Sequence, residues 1–108
     1  MITKEEPTYW VKIYSSGSIE SAKDVIRKDC LEEGLCVTIE PTLFIYSGGE
    51  EFGFVVGLIN YPRFPATKES IFARAHSLAE KILAASFQRS ILIMSPDETM
   101  WINNGASA

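Results

Sequence analysis

The apolar and polar residues of the chain alternate with two different periods, which predict strands and helices in turn. A period of two predicts strands, because successive strand side chains point to opposite faces of a sheet. This pattern covers residues 9–14, 35–46, 52–61 and 90–95. Apolar residues three to four positions apart predict helices at residues 19–33 and 68–87. Residues 99–102 are a candidate for a short fifth strand after the resulting βαββαβ order.

Local signals mark where these elements begin and end. Ser18 and Thr67 precede the two helices and can accept hydrogen bonds from free amides of the first turn. Gly34 is predicted to end the first helix as a left-handed cap, with Leu35 as its apolar partner. Pro41 interrupts the second strand and cannot donate to a ladder, so this strand is predicted to lie at a sheet edge or to be bulged.

The βαββαβ order predicts the fold class. With right-handed crossovers it closes into a four-stranded antiparallel sheet with both helices on one face, the ferredoxin-like α+β plait. At 108 residues the chain is predicted to form a single domain, residues 1–108, with an ordered core at about residues 8–102.

Two adjacent glycines, Gly48 and Gly49, predict a β-hairpin between the second and third strands. Glycine adopts the positive φ angles of a two-residue turn without a Cβ clash, so the pair also predicts the register. The predicted opposed pairs are Ile45 with Phe52, Leu43 with Phe54, and Ile39 with Leu58. These residues are expected to pack beneath the helices.

The same register predicts an aromatic outer face, where the ring of Phe44 covers the bare backbone of Gly53. This face would present Trp10, Tyr14, Phe44, Val55, Ile59 and Tyr61. An apolar patch of this size is usually covered or used. Three coverings remain open: the C-terminal residues 100–102 folded back over the sheet, a second copy of the chain, or an external ligand or partner.

The leading functional prediction is a non-enzymatic accessory protein that binds itself, as a homodimer, and an unidentified protein. Arg63 lies in a rigid, aromatic segment between two prolines and resembles an interface anchor. The alternative interpretation, which is the more common one for such a residue, is a connector whose arginine pairs with a helix carboxylate. The predicted partner-binding residues are Trp10, Tyr14, Phe44, Tyr61 and Arg63.

The alternative prediction is a small-molecule module, either an enzyme or a sensor. Ser15, Ser16, Gly17 and Ser18 form a predicted loop before the first helix, where amides and hydroxyls can bind an anion or a nucleotide. The loop lacks the lysine of a phosphate-binding loop, and serine also caps helices that bind nothing.

The chain carries no recognisable catalytic or metal-binding constellation, and no cofactor is predicted. His76 is the only histidine, and Cys30 and Cys36 lack metal-ligand spacing and are predicted to be reduced thiols. Glu50 and Glu51 flank the hairpin turn, where carboxylates are more often solvated than engaged in acid–base chemistry.

Charge and hydropathy limit the partners and the location. The net charge of −4 works against non-specific nucleic-acid binding, and no sequence matches the aromatic RNP1 pattern of RNA-binding plaits. No apolar stretch approaches the ~20 residues of a membrane span, and no secretory signal is visible at the start. We therefore predict a cytoplasmic protein.

Three stretches resemble small, functionally uncharacterised proteins of bacteriophages and prophages. They read GLCVTIEPT at residues 34–42, FIYSGGEE at 44–51 and GLINYPRFP at 57–65. The resemblance covers about half of the chain, and no activity is assigned to that group. It implies a bacterial cytoplasm and an accessory role during infection.

Overall fold

A computed structural model describes residues 1–33 and 36–105, and within them the predicted order of elements is confirmed and one strand is added. The elements are β1 (Trp10–Ser16), α1 (Ile19–Glu33), β2 (Thr38–Tyr46), β3 (Gly49–Ile59), α2 (Lys68–Ser86), β4 (Ser90–Met94) and β5 (Thr99–Asn103). The predicted cap at Gly34 and its partner Leu35 lie outside the described residues.

The fold is α+β, with a five-stranded sheet in the order β2-β3-β1-β4-β5 and antiparallel pairing between all neighbours. The prediction of four strands is therefore one strand short, and the candidate fifth strand is confirmed. Its backbone pairs with β4, which places Trp101 opposite Leu92. Without β5, strand β4 would form the edge of the sheet and leave N–H and C=O groups unpaired, so β5 extends the sheet by pairing with them. Of the three coverings of the open sheet face that the sequence left open, the one by residues 100–102 is therefore not formed, because these residues belong to β5.

The core lies between the two helices and one face of the sheet. Alternate residues of β1, β3 and β4 point into it, as the period-two pattern requires. Its largest fully buried side chains are Phe54, Ile13, Leu78, Ile82, Ile91, Ile93, Val11 and Val56. We call the opposite face, which carries no helix, the open face. No helix among the described residues is long and apolar enough to cross a membrane.

The hairpin register differs from the prediction by two residues. Ile45 lies opposite Glu50 rather than Phe52, and Tyr46 lies opposite Gly49. Of the two glycines only Gly48 has a positive φ, at 88°, so the turn is formed by Ser47 and Gly48 while Gly49 is already the first residue of β3. A shift of two residues preserves which side chains share a face. The assignment of the core and open faces is therefore confirmed.

The shifted hairpin extends beyond the helices. Ile45 is 77% exposed and Phe52 78% exposed, and Leu43 is also exposed. The prediction that these residues pack beneath the helices is wrong, because the hairpin tip lies past the end of the helical layer. The prediction from Pro41 is confirmed, since β2 lies at the edge of the sheet.

Both predicted helix caps are present. The hydroxyl of Ser18 accepts a hydrogen bond from the Ser21 amide at 3.3 Å, and that of Thr67 accepts one from the Ser70 amide at 3.1 Å. The predicted loop before α1 is shorter than expected, because Ser15 and Ser16 belong to β1. They pair with Phe54 and Gly53 of the long strand β3.

A buried ion cluster joins the helices. Asp29 of α1 has a side chain that is 2% exposed, and its Oδ1 accepts a hydrogen bond from Lys81 Nζ at 2.6 Å. Its Oδ2 accepts one from Arg74 Nε at 3.0 Å. Burial alone would raise the pKa of Asp29, but the hydrogen bonds and charges of Lys81 and Arg74 outweigh burial and hold this pKa below its ordinary value of 3.8.

Among the described glycines of the sheet, Gly53 is the one that neighbouring atoms approach most closely. Replacing it with alanine is expected to destabilise the protein. The ring of Phe44 covers it as predicted, although the two residues are diagonal neighbours rather than an opposed pair. A methyl group there would lie 2.5 Å from Phe44 Cε2 and would also meet the Ser15 carbonyl oxygen. We expect Gly53→Ala to lower the free energy of unfolding by about 1–3 kcal/mol, measured by urea denaturation.

Gly57→Ala is the matched control in the same strand. Its methyl group would meet only Thr38 Oγ1, at 2.6 Å, which is the end of an exposed side chain that can rotate away. We expect this variant to change the free energy of unfolding by less than about 0.5 kcal/mol. Equal losses in the free energy of unfolding for Gly53→Ala and Gly57→Ala would show that the close contacts at Gly53 do not destabilise its alanine variant.

Candidate functional site

A groove of about 400 Å³ crosses one end of the open face. Its size falls in the ~300–1,000 Å³ range of small-molecule sites. All five strands contribute to it, and its lining combines aromatic rings with one carboxylate. The lining residues are Tyr14, Ser15, Ser16, Phe44, Tyr46, Glu51, Ser90, Ile91, Leu92, Met94 and Trp101.

Strand register brings the first part of this lining together. Tyr14 of β1 pairs with Leu92 of β4, and Leu92 pairs with Trp101 of β5. Directly opposed residues of an antiparallel sheet share a face, so Tyr14 and Trp101 stand on either side of Leu92. Trp101 is 59% exposed, which leaves much of its indole free to contact a ligand.

The hairpin supplies the other wall. Phe44 lies opposite Glu51, and Tyr46 lies opposite Gly49, whose missing side chain leaves room for the Tyr46 ring. Partial removal from water and the neighbouring Glu51 carboxylate both raise the pKa of Tyr46. The phenol therefore stays protonated at neutral pH and can donate a hydrogen bond beside the carboxylate.

The groove unites residues from both sequence predictions. Tyr14 and Phe44 come from the predicted partner-binding set, while Ser15 and Ser16 come from the predicted anion-binding loop. Trp10 lies on the open face as expected, but outside the groove, beside Ile59 and with Lys12 Nζ 5.4 Å from its ring centroid.

The structure places Tyr61 and Arg63 away from the groove. They line a separate pocket of about 160 Å³ between α2 and the turn that precedes it. The segment turns back on itself, since the Phe64 amide donates a hydrogen bond to the Tyr61 carbonyl at 2.8 Å. The guanidinium of Arg63 lies 5.3 Å from the Phe64 ring centroid.

Much of the hydrogen-bonding capacity of residues 15–18 is already used within the protein. Ser16 Oγ donates to Gln88 Oε1 at 3.0 Å, and the Gly17 amide donates to the Phe52 carbonyl at 3.1 Å. Ser15 Oγ donates to the Ser16 carbonyl, and Ser18 caps α1. Anion binding by these groups stays a prediction, and it requires some of these bonds to be exchanged for the ligand.

The site residues predicted from the sequence leave out seven residues of the groove lining, which are Tyr46, Glu51, Ser90, Ile91, Leu92, Met94 and Trp101. The sequence predicts a solvated Glu51 at the hairpin turn, and it leaves Trp101 open between a short fifth strand and a segment that covers the sheet. The signal for Trp101 was present, because the turn at 96–98 followed by an apolar segment is typical of a hairpin that pairs with β4.

Apart from the cluster of Asp29, Arg74 and Lys81, the titratable groups outside the groove form no further cluster in the described part of the chain. His76 Nδ1 lies 3.0 Å from Glu80 Oε1 on the surface of α2. Both cysteines are free thiols, and burial raises the pKa of Cys30. Residues 1–33 and 36–105 contain no group of three or more histidine, cysteine or acidic side chains placed to hold a metal ion.

The fold is similar to that of two solved structures of a phage S-adenosylmethionine (SAM) lyase. The apo form matches with a TM-score of 0.71 and 12% identity over 95% of each chain. The form in complex with S-methyl-5'-thioadenosine matches with a TM-score of 0.68 and 11% identity over 95% of each chain. These similarities show a shared fold, and both structures are of phage proteins.

A further solved structure, the periplasmic divalent cation tolerance protein CutA from Archaeoglobus fulgidus, matches with a TM-score of 0.48 and 17% identity over 82% of this chain and 80% of that one. No protein-family model and no curated protein sequence matches the chain significantly.

Proposed function

We propose that the open-face groove binds an adenosine-derived sulfonium or thioether ligand, and that the protein is an enzyme that cleaves SAM. The observation that carries this proposal is the composition of the groove, in which aromatic rings surround a space of about 400 Å³ beside one carboxylate. The likeness in fold to the phage SAM lyases supports the same assignment.

The aromatic side chains suit the adenine part of such a ligand. A purine stacks on the faces of Tyr, Phe and Trp rings, and each such stack contributes about 1–3 kcal/mol to binding. Tyr14, Phe44 and Trp101 are all partly exposed within the groove, so their faces are available without unfolding any element.

Glu51 and the rings suit the positive charge of the sulfonium. Aromatic faces attract cations through their quadrupole, as in the cages that bind quaternary ammonium groups. A carboxylate adds a direct charge interaction, and Glu51 is the only charged residue among the described residues of the lining. The combination favours a cation with an aromatic base over an anionic nucleotide such as a diphosphate.

The reaction needs no group beyond the substrate itself. Conversion of SAM to S-methyl-5'-thioadenosine breaks the bond between sulfur and the four-carbon amino acid chain, and the bonding pair stays on sulfur, which becomes neutral. The released carbon is satisfied by attack of the chain's own carboxylate, which gives a lactone, so no proton has to be transferred. The protein's part is to hold the substrate in a reactive conformation.

The proposal also assigns the protein a fold and a biological source. We interpret the fold as a ferredoxin-like plait with β5 added at the β4 edge. The fold of the phage lyases and the resemblance of residues 34–42, 44–51 and 57–65 to phage proteins support a phage-encoded protein that acts in the host cytoplasm.

Tryptophan fluorescence tests the binding step. Titration with S-methyl-5'-thioadenosine should change the emission of the full chain, because a purine would stack near Trp101 in the groove. Trp101→Phe should remove most of this change, whereas Trp10→Phe, which alters the other tryptophan, should keep it. No change with millimolar ligand, or loss of the change in Trp10→Phe alone, would contradict the proposed site.

Chromatography of SAM incubated with the protein tests the reaction. We expect S-methyl-5'-thioadenosine to accumulate faster than in buffer alone. Binding of the thioether without any acceleration would retain the site as a sensor or a binding module and would contradict the enzymatic assignment.

The second candidate is the protein-binding role, supported by the apolar residues that the open face leaves exposed outside the groove. Ile59 is 56% exposed and pairs with Trp10 in the sheet. A homodimer through this region predicts that Trp10→Asp lowers the mass in solution, measured by light scattering, while Phe44→Asp in the groove has a smaller effect. A monomeric mass for the wild type would contradict the homodimer.

A further inference from the structure

The outer side of strand β5 is an open edge of the sheet. β5 spans Thr99–Asn103 and pairs on one side with β4, while no described strand lies on its other side. Such an edge presents a row of backbone N–H and C=O groups to which another strand can add. The ligand proposed for the groove plays no part in the argument below.

The two edges of the sheet differ in how they are protected from such an addition. Edge strand β2 contains Pro41, whose nitrogen cannot donate a hydrogen bond, and the neighbouring Glu40 carries a charge. Both features disfavour pairing with another strand. β5 contains neither a proline nor a charged residue, and its pairing with β4 runs without a bulge. β5 is therefore the edge that another strand can join.

Backbone hydrogen bonds show which groups of β5 face outward. The Asn104 amide donates to the Arg89 carbonyl at 2.9 Å, and the Glu98 carbonyl accepts from the Ser95 amide at 2.8 Å. The even-numbered residues between 98 and 104 direct their backbone groups toward β4 as well, because the direction alternates along an antiparallel strand. The outward N–H and C=O groups are those of the odd-numbered residues, which are Thr99, Trp101 and Asn103.

The residues of β5 are arranged symmetrically about Trp101. Thr99 and Asn103 are polar, whereas Met100 and Ile102 are apolar. A two-fold axis at Trp101 places Thr99 of one copy opposite Asn103 of a second copy, and it places the two Trp101 residues opposite each other. Each outward residue then exchanges both backbone hydrogen bonds with its counterpart. Like side chains also meet like, which stabilises the pairing.

Two exposed charged residues lie at opposite ends of the β4–β5 pair. Arg89 and Glu98 form no ion pair within residues 1–33 and 36–105. Glu98 lies beside Ser95, which is six residues after Arg89, so the two ends are about 20 Å apart along the strands. The two charges are therefore too far apart to pair within one chain.

The two-fold arrangement brings these charges together between copies. It places Glu98 of the second copy opposite Asn104, which is the neighbour of Arg89 in the sheet. The side chain of Arg89 leans toward this edge, since its Cδ would lie 3.9 Å from a Cβ atom built on Gly105. Two strand spacings, about 10 Å, separate the backbones of Arg89 and the second Glu98, and their long side chains can span this distance. By symmetry, the same ion pair forms at both ends.

We propose that a second copy of the chain pairs with β5 about a two-fold axis at Trp101, so that the two sheets join into one continuous sheet. The Trp101 rings pack against each other on the open face, and Arg89 pairs with Glu98 at each end. Trp101 of the second copy then lies at the end of the groove, so the grooves of the two copies meet at the axis. This interface is distinct from the region around Trp10 and Ile59.

Sedimentation of the full chain over a range of concentrations measures the dimer. One pair of short strands is a small interface, so the mass should rise with concentration from the 12.0 kDa of one chain toward twice that value. Glu98→Arg should raise the dissociation constant at least about tenfold, because it replaces an attraction by a repulsion at both ends. The double variant Arg89→Glu/Glu98→Arg should restore the wild-type constant within about threefold. Only a contact between copies can produce this rescue.

Two variants of Thr99 test the backbone pairing. Thr99→Pro removes one outward N–H group, and proline is compatible with the first residue of an edge strand. It should weaken the dimer at least about tenfold, because the loss occurs twice at the interface. Thr99→Ala keeps the N–H group and should dimerise as the wild type does. Equal dissociation constants for the two variants would show that this N–H group does not face the second copy.

Amide hydrogen exchange locates the interface residue by residue. The amides of Thr99, Trp101 and Asn103 should become protected as the concentration rises, whereas those of Met100 and Ile102, which face β4, should be protected at every concentration. Equal protection of all five amides at every concentration would contradict the pairing.

Three further results would overturn the proposal. A monomeric mass at every concentration would exclude the dimer. Failure of Arg89→Glu/Glu98→Arg to restore a dimer lost in Glu98→Arg would exclude the proposed register. Dissociation by Trp10→Asp, together with an intact dimer in Glu98→Arg, would place the interface on the open face around Trp10 instead.

Discussion

Replacing Asp29 with alanine is expected to lower the free energy of unfolding by about 3–5 kcal/mol, a large part of the stability of a domain of this size. The carboxylate is buried between the helices and is the partner of both Arg74 and Lys81. Removing it leaves the guanidinium of Arg74, which is 11% exposed, without a counter-charge. Urea denaturation at neutral pH measures the loss.

The effect of this variant should also depend on pH, with a defined sign. The pKa of Asp29 in the folded protein lies below its ordinary value of 3.8, so the cluster stabilises the protein fully above that pH. The stabilisation is lost as the pH falls through the lowered pKa. The gap in stability between the wild type and Asp29→Ala should therefore be largest near neutral pH and narrow in acid. A gap that stays constant in acid would contradict the role assigned to the charge.

Asp24→Ala is the matched control on the same helix. Asp24 Oδ1 pairs with Arg27 Nη1 at 3.2 Å, but both side chains are mostly exposed, and exposed pairs contribute less than about 1 kcal/mol. The double variant Asp29→Leu/Arg74→Met removes both buried charges together and should regain part of the loss, because an apolar pair leaves no charge uncompensated. Equal losses for Asp24→Ala and Asp29→Ala would contradict the account.

Local patterns were sufficient to predict most of the fold. The helix caps at Ser18 and Thr67, the edge position of β2 and the separation of core and open faces depend on spacing and on local residue chemistry, which the chain displays directly. The hairpin register was two residues off, because two adjacent glycines allow more than one choice of turn residues and only the backbone shows that Gly48 alone has positive φ.

The parts that could not be predicted depend on contacts between distant segments. Asp29 pairs with Arg74, which is 45 positions further along the chain, and with Lys81, which is 52 positions further. In the sequence, nothing distinguishes Asp29 from the other polar residues of α1. The groove likewise required the pairing of β5 with β4. This pairing places Trp101 beside Leu92, whose other neighbour in the sheet is Tyr14. The pocket lined by Tyr61 and Arg63 likewise required the turn at residues 61–64 to fold against α2, a contact that no periodicity encodes.

Replacing Glu51 with glutamine is expected to have the largest effect on the proposed activity. The change keeps the size of the side chain and removes the one charge that the described residues contribute to the lining of the groove. A charge-assisted contact contributes about 1.5–3 kcal/mol, so kcat/KM for SAM cleavage should fall roughly 10- to 100-fold. Binding of the neutral product S-methyl-5'-thioadenosine should change little, because that ligand carries no sulfonium charge. Calorimetry with the product and a chromatographic assay with SAM measure the two quantities.

Glu50→Gln is the matched control, because it makes the same chemical change one residue away on the opposite face of the sheet. Glu50 lies opposite Ile45 on the exposed, helix-side face of the hairpin, whereas Glu51 lies opposite Phe44 in the groove. Alternate residues of a strand point to opposite faces, so Glu50→Gln should retain the wild-type kcat/KM within about twofold. Equal effects of the two variants would indicate a general charge effect of the hairpin. An equal loss of affinity for SAM and for its neutral product in Glu51→Gln would contradict recognition of the sulfonium by this carboxylate.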